Sequence, residues 1–216
     1  MRVLDVRRHK AGEQIILSAR CKVRRLGLDV LSFAVPIRFA DFLAADASPF
    51  AAALLLPSMK LGEDLVIQGS VSARLHAGMT EMIRTVSRWD VGLKPIRVIA
   101  DELSQDPAAA GVTGAFFSGG VDSFYTYLRH KSDPRPITHL VLARGYDIDR
   151  RDDRRWEATV HNLEQIAREE QVTLIEIDSN LRSLTDPILS WTYSHGGGLA
   201  GAALCLRRGI SQMYIA

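Results

Sequence analysis

The 216-residue sequence is poor in cysteine, in net charge and in long apolar runs. Its two cysteines, Cys21 and Cys205, lie far apart and neither belongs to a C-x-x-C pair. That excludes a disulfide framework and a cysteine-based zinc site, and a reducing, cytoplasmic setting is expected. The longest apolar run, Phe50 to Leu56, is bounded by Pro49 and Pro57, far short of the ~20 residues a membrane-spanning helix needs. Met1-Arg2-Val3-Leu4-Asp5 opens no apolar stretch of signal-peptide length, so no membrane partner is expected. With 27 basic and 25 acidic residues the formal charge is +2. Nucleic-acid binding is not indicated by charge alone, because phosphate-backbone binders concentrate cations on one face. The Walker pattern G-x-x-x-x-G-K-[ST] and the dinucleotide pattern G-x-G-x-x-G are both missing, as is any internal repeat.

What is present suits a packed core: 47% hydrophobic and 24% charged residues. Asp101 to Gly111 is polar, then small, with Pro107 and Gly111 as punctuation, and reads as a linker. It divides the chain into an α+β unit over 1–106, of unreadable role, and an α/β unit over 107–216. In the first, Gln14–Val23 and Leu28–Val35 predict a hairpin around a turn at Arg24–Gly27. A helix is expected over Pro49–Met59 with Ser48 as N-cap. A strand at Leu65–Gln68, a helix from Ser70 to about Trp89, and a strand at Pro95–Ala100 follow, with Trp89 in the core. The basic clusters Arg7-Arg8-His9-Lys10 and Arg24-Arg25 read as solvated surface rather than as RNA contacts.

The second half alternates more regularly. Strands are expected at Thr113–Phe117, Ile137–Ala143, Leu174–Asp178 and Gln212–Ala216. Helices are expected at Val121–His130, Arg154–Glu170 and from near Gly198 to Arg208. Strand–helix alternation with near-continuous apolar strands indicates a parallel sheet covered on both faces, which binds ligands at the carboxyl ends of its strands.

At the end of the first of those strands stands Ser118-Gly119-Gly120-Val121-Asp122-Ser123. With roughly 7% per residue type, five fixed positions arise by chance in about 2 windows per million. Gly119 and Gly120 lack Cβ, so the backbone can turn sharply and bring N–H groups to phosphate oxygens. The following helix offers unpaired N–H groups and its positive dipole end to the same anion. Ser118 and Ser123 add hydroxyl donors. Asp122 suits the Mg²⁺ that neutralises the phosphates. These six residues, Val121 included, are the candidate nucleotide contacts. The competing reading is a capped turn, for which one Gly and one Ser would suffice.

Ser-Gly-Gly-x-Asp-Ser after a strand resembles the signature of the PP-loop ATP pyrophosphatases. These include the ATP domains of asparagine and GMP synthetases, tRNA-thiolating and lysidine-forming enzymes, and the 7-cyano-7-deazaguanine synthases. The resemblance covers about residues 112–216. It implies an adenine nucleotide alpha hydrolase-like fold and cleavage of ATP between the α- and β-phosphates. A second, unidentified substrate would be adenylated, as in ligases and amidotransferases, with ATP and Mg²⁺ as cofactors. It also implies adenine held at the backbone of Leu142, Ala143 and Arg144, with Gly145 giving room to turn. Arg144 is then a candidate for the α-phosphate and Asp147 for a substrate, against a solvated polar loop. Arg150 to Arg155 reads as a solvated helix start.

Arg182, after the third strand in Asp178-Ser179-Asn180-Leu181-Arg182, is the candidate for transition-state charge. His195 is a candidate hydrogen-bond donor or proton shuttle. Gly196, Gly197 and Gly198, at an expected helix entrance, make a second candidate anion nest, against a flexible helix entry. Cys205 reads as a small core residue. The family's core has five strands and a basic residue from beyond the fourth, whereas this chain stops at Tyr214-Ile215-Ala216. A C-terminally incomplete domain is therefore expected, open to dimerisation through an unpaired strand edge. Two alternatives to a small-molecule ligase stay open: a tRNA-modifying enzyme and a non-catalytic nucleotide-binding module.

Overall fold

The computed structural model describes residues 1–24, 27–89, 92–105 and 111–216. Alternating side chains build β1 (Arg2–Ala11), β2 (Gln14–Val23) and β3 (Gly27–Pro36), paired antiparallel in that order. β2 and β3 pair as the expected hairpin; Arg25 and Leu26, where the turn is expected, lie outside the described residues. β1 was hidden by its basic cluster and by a bulge between Leu4 and Arg7, where Asp5 takes φ 52°. The one extra residue shifts the period-2 pattern out of phase halfway along the strand.

A 3-10 turn at Ile37–Phe42 leads to α1 (Ser48–Leu61). Ser48 is not the N-cap: that place falls to Ala47. The Ser48 N–H donates to Asp46 Oδ1 (2.8 Å), and its buried hydroxyl accepts from the Ser72 N–H (3.0 Å). β4 (Leu65–Ser72) runs longer than expected, so Ser72 rather than Ser70 caps α2 (Ala73–Val86), accepting from the Leu75 N–H. Trp89 lies past the end of α2 and is 60% exposed, not core. β5 (Val98–Ser104) starts later than expected, where the β4 ladder begins at Leu65↔Val98. Asp101 to Ser104 are thus strand rather than linker, and residues 106–110 of that stretch lie outside the described ones.

The second half follows the expected alternation: β6 (Val112–Phe116), α3 (Val121–His130), β7 (Ile137–Arg144), α4 (Asp153–Glu169), β8 (Thr173–Ser179), α5 (Leu181–Thr185), α6 (Trp191–Cys205) and β9 (Ile210–Tyr214). The main departure is α6, which starts at Trp191 and takes Gly196, Gly197 and Gly198 into its interior. Packing explains Gly197 and, further along the helix, Gly201. A Cβ on Gly197 would lie 3.2 Å from the Ala52 carbonyl oxygen, and one on Gly201 2.8 Å from that of Pro49. The helix cost of glycine, about 1 kcal/mol each, is offset by close approach of α6 to α1.

All described strands form one mixed, mostly parallel α/β sheet in the order β5-β4-β1-β2-β3-β8-β7-β6-β9. The halves join antiparallel through Phe33↔Ser179 and Ala34↔Asp178. Asn180 extends that seam, its Oδ1 accepting from the Ser32 N–H (2.9 Å) and its Nδ2 donating to the Val30 carbonyl (2.7 Å). One face of the whole sheet packs against α1, α2 and α6, around Leu17, Phe33, Phe50, Ile67, Ile175 and Ala202. On the opposite face α3 and α4 cover β6–β8 through Phe117, Leu140, Leu142, Tyr127, Trp156 and Leu163. Over β1–β3 that face stays exposed and carries Arg2, Arg7, His9, Arg20, Lys22 and Val30. No helix among the described residues is long and apolar enough to cross a membrane.

Candidate functional site

Within the second half, β7 and β8 lie to one side of β6 and β9 to the other. The connections diverge there, and in open parallel sheets the crevice at such a switch point, at the carboxyl ends of the strands, is where ligands sit. The Ser118–Ser123 segment leaves the carboxyl end of β6 at that point. Phe117 N–H holds the segment to the Val141 carbonyl (2.8 Å). Gly119 then takes φ 78°, where a side chain would be strained and its Cβ would meet Leu163 of α4 at 3.2 Å. Gly120 is the N-cap of α3, with no side-chain capping bond. The Ser118 hydroxyl faces the Gly120 N–H (3.3 Å), and the Ser123 hydroxyl donates to the Gly120 carbonyl (2.8 Å). Ser118, Gly119, Gly120, Val121 and Asp122 are exposed, and Ser123 is buried.

The loop forms one wall of a cleft of about 290 Å³. Its floor is the end of β7, Val141, Leu142 and Ala143, with Tyr146 and Ile148 beyond, and Leu199 of α6 closes the far side. The floor is apolar and the loop wall polar, a division suited to a ligand with a flat apolar end and an anionic end. The turn after β7 shapes this floor. Gly145, buried at φ 83°, donates its N–H to the Ile148 carbonyl (2.9 Å). Tyr146 turns inward, its hydroxyl donating to the Gly198 carbonyl (2.7 Å) and its ring 5.1 Å from Trp191. Its burial drives the phenol pKa up, so it serves as a neutral donor. Tyr146 is thus a structural anchor rather than part of a solvated loop.

Of the other candidates, Leu142, Ala143 and Asp147 line the cleft; Asp147, exposed, accepts from Trp191 Nε1 (3.0 Å). Arg144 does not line it. Its guanidinium pairs with Asp153, donates to the Arg150 carbonyl (2.8 Å) and lies over the Trp156 ring (5.5 Å). Arg182 lines a neighbouring groove with Gly145, Asp149, Arg150 and Asp186. There it pairs with Asp186 (2.9 Å) and donates to the Tyr146 carbonyl (2.6 Å). His195 is exposed inside α6, its Nδ1 2.9 Å from the Thr192 carbonyl, and neither it nor Gly196 nor Gly197 lines the cleft.

The rim is rich in arginine but largely neutralised: Arg150 pairs with Asp178 (2.7 Å) and Arg151 with Asp149 (3.0 Å). The Arg151 hydrogen bond holds the Asp149 carboxyl well below the usual range. Among the lining residues that the sequence does not single out are two polar ones on α4, Arg155 and Thr159. Their spacing with Leu163, four residues apart each time, is the signal that would have found them once Gly119 was known to touch Leu163. Both cysteines are buried; burial raises the Cys21 thiol to about 12 and that of Cys205 further, which leaves neither a nucleophile at neutral pH. Among the described residues no group of three or more His, Cys, Asp or Glu side chains is gathered as a metal site. A cation here would rest on Asp122 and the ligand's own oxygens, the usual habit of Mg²⁺ at phosphates.

No protein-family model matches the chain, and no curated protein or solved structure matches it either.

Proposed function

We propose that this chain is a PP-loop ATP-binding protein that cleaves ATP between the α- and β-phosphates and adenylates a second substrate. The observation that carries the reading is the place of Ser118–Ser123: a glycine-rich loop at the switch point of a parallel sheet, opening an uncapped helix into a cleft with an apolar floor. Adenine would lie on Leu142 and Ala143. The β- and γ-phosphates would take the N–H groups of the loop and the first turn of α3. Mg²⁺, when bound, supplies neutralisation of phosphate charge, with Asp122 as its protein ligand. A substrate oxygen attacks the α-phosphorus, the bond to the β-phosphate bridging oxygen breaks, and pyrophosphate leaves into the loop. Such catalysis is positioning and charge neutralisation, with little demand for ionising side chains.

The test is titration with α,β-methylene ATP and Mg²⁺, followed by a pyrophosphate-release screen over candidate acceptors. Micromolar binding with AMP and pyrophosphate as products is expected. Binding without α–β cleavage for any acceptor would leave a nucleotide-binding module, and ADP with phosphate as the only products would refute the cleavage assignment.

One observation favours RNA as the second substrate. Arg2, Arg7 and Lys22 share the open face of β1–β3, Arg2 standing directly opposite Lys22, and none has an ion-pair partner among the described residues. Like charges opposite each other cost stability in a sheet, and a polyanion would relieve that cost. Three phosphate contacts at about 0.7 each predict a slope of roughly −2 for log affinity against log salt with single-stranded RNA. Lys22→Gln should make that slope shallower by about 0.7. A flat salt response in anisotropy titrations removes RNA from consideration.

A further inference from the structure

Six arginines stand around the carboxyl edge of β7 and β8, and four of them are spoken for. Arg144 pairs with Asp153, Arg150 with Asp178, Arg151 with Asp149 and Arg182 with Asp186. Arg154 and Arg155 have no ion-pair partner among the described residues, and of the six Arg155 is the cation that lines the cleft. From the geometry we infer that Arg155 is the phosphate-contacting cation of this site, bridging from α4 to the anionic end of the nucleotide opposite the Ser118–Ser123 loop. The inference rests on the ATP reading above and deepens it.

Three features of α4 lead there. Its rotation is fixed: Trp156 is buried beneath Arg144, and the Asp152 side chain caps the helix by accepting the Arg155 N–H (3.1 Å). With that rotation Arg155, Thr159 and Leu163 follow one another along a single stripe. Leu163 packs beside Gly119, while Thr159 and Arg155 continue past the loop into the cleft wall. The local preference also runs against a cation. Arg155 is the third residue of the helix, where the dipole repels positive charge and a capping box would place Glu or Gln. An arginine kept unpaired at a position that favours an acid is accounted for by an anion that arrives with the ligand. Its planar fork matches two phosphate oxygens, which a Walker lysine, missing here, would meet as a point charge.

The test compares wild type, Arg155→Gln, Arg155→Lys and the exposed neighbour Arg154→Gln by calorimetry, with α,β-methylene ATP and with inorganic pyrophosphate as separate probes. Arg155→Gln should weaken both probes by about 10- to 100-fold. Arg155→Lys should fall between it and wild type, Arg154→Gln should match wild type, and all melting temperatures should coincide. Equal affinity of Arg155→Gln and wild type overturns the assignment while leaving the ATP site standing. Equal losses in Arg154→Gln and Arg155→Gln also overturn it, since they would mark a diffuse field rather than a contact. Failure of the wild type to bind either probe overturns the inference together with the ATP reading.

Discussion

Gly145→Ala is expected to lower the melting temperature by roughly 10 °C and to dismantle the cleft floor. Two costs combine. At φ 83° any side chain is held in the left-handed region, which costs about 1–2 kcal/mol. A Cβ there would also overlap the Ser179 carbonyl oxygen and approach the Arg150 side chain to 3.0 Å. The overlap is with backbone that is bonded into the seam with β3, because the Ser179 hydroxyl donates to the Ser32 carbonyl (2.8 Å). Relief therefore requires shifting β8 or unwinding the turn that seats Tyr146. A total on the order of 3–5 kcal/mol follows, at ~2–4 °C per kcal/mol for a chain of this size. Gly196→Ala is the matched control: it lies in α6 with nothing within 4 Å of its would-be Cβ. Alanine there should raise stability by up to about 1 kcal/mol. A Gly145→Ala melting point within 2 °C of wild type would contradict the close approach of the two chain segments.

The second large effect is chemical rather than structural. Asp122→Ala should reduce affinity for α,β-methylene ATP in Mg²⁺ to the level wild type shows in EDTA, a fall of about 100-fold. The carboxylate is exposed in the first turn of α3 and lines the cleft. Its structural work is limited to favouring the helix N-terminus, worth about 0.3–1 kcal/mol. In EDTA the variant and wild type should bind alike, because the remaining contacts come from backbone N–H groups that the substitution leaves in place. If Mg²⁺ strengthens binding equally in both proteins, Asp122 is not the cation's ligand. A large drop in melting temperature would mean the residue shapes the loop itself.

Much of the α/β layout was legible because its signals are local. The apolar runs of β6, β7 and β8 and the amphipathic helices between them carry their own periodicity, and α3 was read to the residue. The Ser118–Ser123 loop was legible because glycine pairs after a strand have few other uses. What escaped depends on contacts between distant segments. Gly197 reads as part of a helix entrance because its purpose, clearance from the Ala52 carbonyl, lies in another helix. Arg144 and Arg182 were attractive as free cations, but Asp153 and Asp186 neutralise them. Arg155 is hidden inside a run of mixed charge, since nothing local says which arginine faces the cleft. Residue type points Trp89 to the core, whereas the end of α2 carries it out.

The seam between β3 and β8 carries a consequence for how the polypeptide is made. Asn180 bonds to the carbonyl of Val30, 150 positions earlier. On a ribosome adding about 5–20 residues per second, the outer edge of β3 emerges roughly 7–30 s before the strand that will pair with it. Until then the β2–β3 hairpin displays an open row of backbone donors and acceptors beside apolar side chains, the kind of edge that recruits other chains. Non-local pairing of this kind also slows folding after release. Yield in the cell should therefore depend on translation speed and chaperone supply, and slower elongation between codons 36 and 173 would lengthen the exposed interval and favour aggregation.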